Sequence, residues 1–497
     1  MFKSFAFRIY LVALVLRLIP VILARGMGIG LDDMFQYDML ARSLAEGHGF
    51  RWYAQEDLDY FASFLDASTS LSTSFDLSSL KNYDPHLGIP TSFRAPLYPA
   101  FLASVYLVNG LDFSRFFAAR LAQAIFLGAP LAPLTYLVAK RLFPLSSFES
   151  EKGGRKEENS ARISAWIVAA YPILLVYPLG LGTENLFFIL LLTSFLFLLL
   201  PLEGHTTSHF LLSGFFLALT ALTRSVILPF AFAAFCLLYF LHAKRTLLAI
   251  FSFALVVTPW VVRNSLLHNE PTGIETSMGY NLYLGYHPQG DGSFVFGPSL
   301  DLLPILDDAE RDRVGTEKAL EFIHAEPERF FPLAVNRLGF FFGLEKRVLM
   351  YFYSNNILGF VPLPFLLTLS TIMLLPFVVI STSAALGLSL LRWSPRTILL
   401  ALLLIGYTLP HVFVLSEDRF HLALVPYVAI FASYFWMNGM GALSARWKES
   451  STGKILVTLS IIGVLLLLTN WGLELARDWD KIAQLLGPDG NESYFPY

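Results

Sequence analysis

The stretch Leu186-Phe187-Phe188-Ile189-Leu190-Leu191-Leu192-Thr193-Ser194-Phe195-Leu196-Phe197-Leu198-Leu199-Leu200 contains no charged residue, no glycine and no proline. Its apolar residues would cover every face of a helix, which suits hydrocarbon on all sides and not the one-sided stripe of a soluble helix. Ile455 to Leu468 reads the same way. The composition follows suit: 55% of the 497 residues are hydrophobic and only 15% charged, more apolar material than a soluble core of this length needs. Lipid must therefore be part of the solvent. A formal net charge of -3 favours neither nucleic acid nor an anionic surface, and the sole cysteine, Cys236, allows no internal disulfide. No convincing small-residue cleavage site follows the run Phe7 to Leu23, so it is expected to remain as a first span.

Stretches long enough to cross about 30 Å of hydrocarbon fall near 7–26, 116–139, 163–179, 185–201, 209–223, 225–241, 246–262, 361–391, 397–415, 422–442 and 455–470, about eleven in all. They predict an all-α polytopic membrane protein built as one transmembrane domain over 1–497. Lys3 with Arg8, Lys140 through Arg162, Lys244 with Arg245, Arg392 with Arg396, and Arg446 through Lys454 then share one side, which is expected to be cytoplasmic together with the N-terminus. Pro96 to Gly110 is short and has two prolines near its start, which fits an interfacial or re-entrant helix. Two long polar segments, 27–115 (with that helix) and 263–355, are thereby assigned to the extracytoplasmic side. Ser63 to Ser79 reads as a flexible Ser/Thr/Asp-rich insertion, and no internal repeat is evident.

A carboxylate at mid-membrane costs about 2.5–3.5 kcal/mol, and none of the eleven expected spans carries one in its interior. The acids stop at the ends. Asp32 and Asp33 follow a glycine-rich step (Gly26, Gly28, Gly30) and open a helical stripe of Tyr37, Leu40, Ala41, Leu44 and Ala45 that stops at Gly47-His48-Gly49. Arg94 stands just before the Pro96 helix, where it could meet an anion or anchor a lipid headgroup. Arg17 and Arg120 lie within spans and read as structural or headgroup-paired. His411 and His421 stand near helix ends, and no metal site is read from them.

The order of motifs resembles the GT-C superfamily of membrane glycosyltransferases, specifically the family 39 group of protein O-mannosyltransferases and aminoarabinose transferases. The resemblance covers most of the chain. It rests on Asp32-Asp33 with Leu40-Ala41-Arg42-Ser43-Leu44-Ala45-Glu46-Gly47-His48-Gly49-Phe50, and on Arg94-Ala95-Pro96-Leu97-Tyr98-Pro99. It continues through Gly182-Thr183-Glu184-Asn185, Leu222-Thr223-Arg224, Pro259-Trp260-Val261-Val262-Arg263-Asn264, and Asp418-Arg419-Phe420-His421 before Pro426. Two departures stand out: Asp33 where the family pattern is often Asp-Glu, and the Ser/Thr-rich insertion.

The resemblance implies a GT-C fold and a polyprenyl-phosphate-linked sugar donor, whose anomeric carbon is attacked with inversion by a hydroxyl of a glycan, lipid or protein acceptor. Asp32 matches the family's base and Asp33 would assist. Arg94, Arg224, Arg263 and Arg419 would meet the leaving phosphate, with Asn264 beside Arg263. Glu184 matches a second acid, assigned to substrate or divalent-metal contact. No organic cofactor is implied. The rival class is a transporter or flippase of an anionic lipid, which would call for ionisable groups at the bundle's midplane.

Overall fold

A computed structural model describes residues 4–30, 33–59, 83–143, 151–204, 206–346 and 361–487. Among these the chain is helical almost throughout; its only named strands, Arg51–Trp52 and Ile89–Pro90, form one short antiparallel pair in the first polar segment. Asp32, Ser63 to Ser79 and the tail that holds the Asn491-Glu492-Ser493 sequon lie outside the described residues.

Eight described helices are long and apolar enough to cross a membrane, or nine if the bent pair Arg155–Ala170 and Pro172–Leu179 is one span. The expected count of eleven is not reproduced, for identifiable reasons. Thr207–Ala221 has only 15 residues, about 22 Å at 1.5 Å per residue. The spans expected at 225–241 and 246–262 fall on two helical stretches of Leu228–His268 that run on without a loop and meet at a kink where His242 leaves helical geometry (φ -147°, ψ 53°), so they count as one long element. Lys244 and Arg245 follow that break at once.

Burial separates the helices into centre and rim. Thr183–Glu203 is 67% buried across its apolar window, and its Phe187, Leu191, Phe195 and Leu198 are inaccessible. The window of Ser451–Arg477 is only 17% buried, so its leucines face outward. Lipid tails offer no hydrophobic drive between helices, so close backbone approach at small residues must supply dispersion contacts instead. A Cβ on Gly214 would lie 2.0 Å from the Ala249 carbonyl oxygen, and one on Gly387 would lie 2.3 Å from that of Phe431.

Three arginines, Arg17, Arg120 and Arg337, are almost wholly inaccessible. Each serves backbone carbonyls. Pro172 has no N–H with which to continue the preceding helix, and the pair bends by 53° there. Arg17 donates to the carbonyls left at that break, Val168 (3.1 Å) and Ala169 (3.1 Å). Arg337 likewise donates to Val412 (3.3 Å) and Gly285 (2.5 Å), near the ends of two helices. An unsatisfied carbonyl in hydrocarbon costs several kcal/mol, so these cations are structural donors.

The central helix also fixes the polarity of the bundle. Arg141 and Arg396 approach Glu203 at one end of it, at 3.6 and 3.7 Å, so two of the basic connectors meet there. The other end begins at Thr183-Glu184, about 30 Å away.

Candidate functional site

At that second end the carboxylates and guanidinium groups interleave. Asp33 opens the helix Asp33–Ala45, and Arg94 Nη2 donates to its Oδ1. Gln36, one turn on, accepts from Arg94 Nε at 2.9 Å and from Nη2 at 2.6 Å. Arg419 Nη2 lies 3.5 Å from the other Asp33 oxygen. The same arginine reaches Glu184 Oε1 at 3.7 Å and Glu417 Oε2 at 2.7 Å. Arg224 Nη1 donates to Glu184 Oε1 at 2.7 Å, and its guanidinium lies 5.1 Å from the Phe420 ring centre. Asp33, Arg94, Glu184, Arg224 and Arg419, which stand far apart in the sequence, thus form one ion-pair cluster.

Local sequence explains the convergence. Three apolar helical segments begin at the cluster: Thr183–Glu203 with Glu184 in its first turn, the Ser225 segment directly after Arg224, and the Phe420 segment directly after Arg419. Free N–H groups at helix starts favour anions. Arg94 is held from behind, because Asp308 accepts from Thr91 Oγ1 (2.5 Å) and from the Ser92 backbone N–H (2.9 Å). Its guanidinium also lies 5.0 Å from the Phe93 ring centre and 5.3 Å from that of Tyr37.

The electrostatics are balanced. Burial pushes the Asp33 carboxyl up, but Arg94 and Arg419 outweigh it and hold the group at about 2, so it is ionised. Burial pushes the Tyr37 hydroxyl up to about 12 against the pull of Arg94, which keeps it a neutral donor beside both acids. Among the described residues three arginines face Asp33, Glu184 and Glu417, so an incoming anion competes with these carboxylates for a guanidinium.

Arg263 and Asn264 stand elsewhere. Arg263 donates to the backbone carbonyls of Thr91 (2.5 Å) and Phe50 (3.3 Å), and its guanidinium lies 4.9 Å from the Trp260 ring centre. Asn264 is buried and donates to Gly273 (2.9 Å) and Ile274 (3.0 Å). Both tie the long helix to loops instead of facing the ion pairs. Glu417 is the member that sequence reasoning missed; its signal was an acid two residues before Arg419. His421 is buried with Glu345, its Nε2 3.1 Å from Oε1, while Tyr171 donates to the same oxygen at 2.6 Å. Among the described residues no group of three or more His, Cys, Asp or Glu is placed to hold a metal ion.

No protein-family model matches this sequence, and no curated protein matches it significantly. Several solved structures are similar, two of them as follows. One is ArnT from Cupriavidus metallidurans bound to undecaprenyl phosphate, 12% identical, with 89% of this chain and 80% of that chain covered and a TM-score of 0.38. The other is ArnT from the same organism in the apo state, 12% identical, with 86% and 78% covered and a TM-score of 0.35. Overlap this loose leaves the functional reading to the residues of the cluster.

Proposed function

We propose that this protein is a GT-C type glycosyltransferase that moves a sugar from a polyprenyl-phosphate carrier to an acceptor hydroxyl on the extracytoplasmic face of its membrane, with the Asp32-Asp33 pair supplying the base. The observation that carries the reading is the interleaving of Asp33 and Glu184 with Arg94, Arg224 and Arg419 where three apolar helices start. A carrier lipid would leave its prenyl tail among those helices and present its phosphate at their N-terminal ends. Arg224 and Arg419 then stabilise the charge that grows on the departing phosphate. A carboxylate of the pair takes the proton from the attacking hydroxyl, a role that typically supplies about 10²–10⁴ in rate.

The extracytoplasmic assignment rests on the basic connectors at the Glu203 end, opposite the cluster. A transporter would hold ionisable groups free to meet a substrate at the midplane, whereas carboxylates of the eight long apolar helices stand only near helix ends, as Glu184, Glu203, Glu449 and Glu474, and the buried Arg17 and Arg120 are engaged with backbone carbonyls. The inner or plasma membrane is the natural setting for such a carrier. Mass spectrometry of lipids and surface glycans from a strain lacking this protein tests the reading. A carrier-linked sugar should accumulate while one glycan modification disappears; unchanged lipids and glycans would overturn it.

A further inference from the structure

Behind the ion pairs, Arg120 and Gln123 sit side by side where a regular helix, Arg115–Ala122, runs into the π-helical turn Gln123–Gly128. Both side chains are inaccessible. Arg120 Nη2 donates to the Gly28 carbonyl at 2.5 Å, Nη1 donates to that of Met27, and Nε donates to that of Leu179 at 2.9 Å. Gln123 Nε2 donates to the carbonyls of Pro178 (3.0 Å) and Gly180 (3.2 Å), and its Oε1 accepts from Tyr98 at 2.8 Å. The gathered backbone is not arbitrary. Gly28 precedes Asp33 by five residues, Leu179 precedes Glu184 by five, and Tyr98 follows Arg94 by four. The Met27 side chain packs against the apolar cluster that holds Leu179, so the two segments are also joined by burial.

We infer that Arg120 and Gln123 are positioning residues that brace the segments leading to Asp33 and Glu184 against each other, and so set the spacing of the two carboxylates. The inference rests on the proposed transferase reading for its kinetic consequence, but the brace itself is a statement about backbone. The planar guanidinium matters because its fork serves carbonyls of two segments at once; a lysine keeps the charge but presents one compact head. Extra width in the π turn brings Gln123 to the same segment from the next helical position, and such turns recur at functional sites. Simple capping of orphan carbonyls would need donors too, but it would not need one side chain to span both acid-bearing segments.

The test uses the full chain in lipid nanodiscs, with Arg120→Lys and Gln123→Met as shape-preserving variants in case Arg120→Ala fails to fold. Hydrogen exchange of 26–30 and 177–182 should rise together in Arg120→Lys, although the two segments are far apart in sequence, and that of 177–182 should rise in Gln123→Met. With the donor identified from accumulated lipid, transfer at saturating donor should fall by ~10- to 100-fold, since a misplacement of about 1 Å can cost ~10² in rate. Affinity for undecaprenyl phosphate should stay within about threefold, since the guanidinium groups that would meet it are untouched. Unchanged exchange in a folded variant overturns the brace, and unchanged transfer overturns its role. A parallel loss of affinity, transfer and thermal stability also overturns it, in favour of a general structural role. If wild-type protein neither binds undecaprenyl phosphate nor transfers sugar, the transferase reading fails instead, and the exchange result alone decides the brace.

Discussion

Replacing Arg224 by methionine removes the guanidinium and keeps most of the stem. Arg224 donates to Glu184 at 2.7 Å, with only 19% of the arginine side chain and 8% of the glutamate's exposed. Breaking so buried a pair ordinarily costs about 3–5 kcal/mol, because the surviving charge is stranded. Here Arg419 lies 3.7 Å from the same Glu184 oxygen, a contact that contributes about 4 kcal/mol at an effective dielectric near 20. Glu184 therefore keeps a partner, and the expected loss of stability is about 1–3 kcal/mol. Binding should suffer more specifically. A hydrogen bond from a charged donor contributes about 1.5–3 kcal/mol, so affinity for a polyprenyl phosphate should fall about 10- to 150-fold. The assay is a titration of undecaprenyl phosphate into purified protein in nanodiscs, with Arg263→Met in parallel. Arg263 serves carbonyls away from the cluster, so its variant should lose thermal stability while affinity changes far less. Wild-type affinity in Arg224→Met, or equal losses in the two variants, would mean that Arg224 does not meet the lipid phosphate.

Asp33→Asn is expected to bind undecaprenyl phosphate at least as tightly as wild type, because Arg94 and Arg419 lose a competing carboxylate, while transferring at least ~10²-fold more slowly, measured with carrier-linked sugar in single turnovers. The pH dependence has a definite sign. Asp33 is held at about 2 against an ordinary 3.8, so its contribution to stability is full above pH 3.8 and is lost as pH falls through 2. Thermal unfolding across that window should be flatter in Asp33→Asn than in wild type. An anion that draws Arg419 away raises the Asp33 carboxyl, so the acid limb of kcat should lie at higher pH than that of kcat/KM, which reports the free enzyme. Gly214→Ala would place a methyl group 2.0 Å from the Ala249 carbonyl oxygen, and should destabilise the protein by about 1–3 kcal/mol in a thermal melt without altering lipid affinity.

Much of the architecture was legible because hydrocarbon tolerates so few residue types. Runs such as 186–200 and 455–468 admit almost no reading but a membrane helix, and both are one. The count of eleven is left unconfirmed at two places. His242-Ala243-Lys244-Arg245 reads as a loop between two spans, and a kink at His242 does separate two helical stretches there, though with no intervening loop. Thr207–Ala221 is apolar enough to span but is cut short at Leu222-Thr223-Arg224.

The site was legible as a set of motifs, not as a geometry. Arg224 and Arg263 look alike in sequence, each a lone arginine at the end of an apolar run. Only the fold distinguishes them, since Arg224 meets a carboxylate and Arg263 meets carbonyls. Arg17 and Arg120 were ambiguous for a related reason: a buried cation is explained by the broken helices around it, and those breaks are tertiary facts. Glu417 was overlooked because its significance comes from sharing Arg419 with Asp33 and Glu184.

In the proposed transferase a carrier lipid's phosphate docks among Arg94, Arg224 and Arg419 beside Asp33. Photocrosslinking with a diazirine-bearing polyprenyl phosphate, followed by peptide mapping, addresses it directly. Labels should concentrate on peptides containing 183–187, 222–226 and 417–421 and should be displaced by unlabelled undecaprenyl phosphate. Labelling confined to the outward faces of the rim helices, or undiminished by competitor, would contradict it.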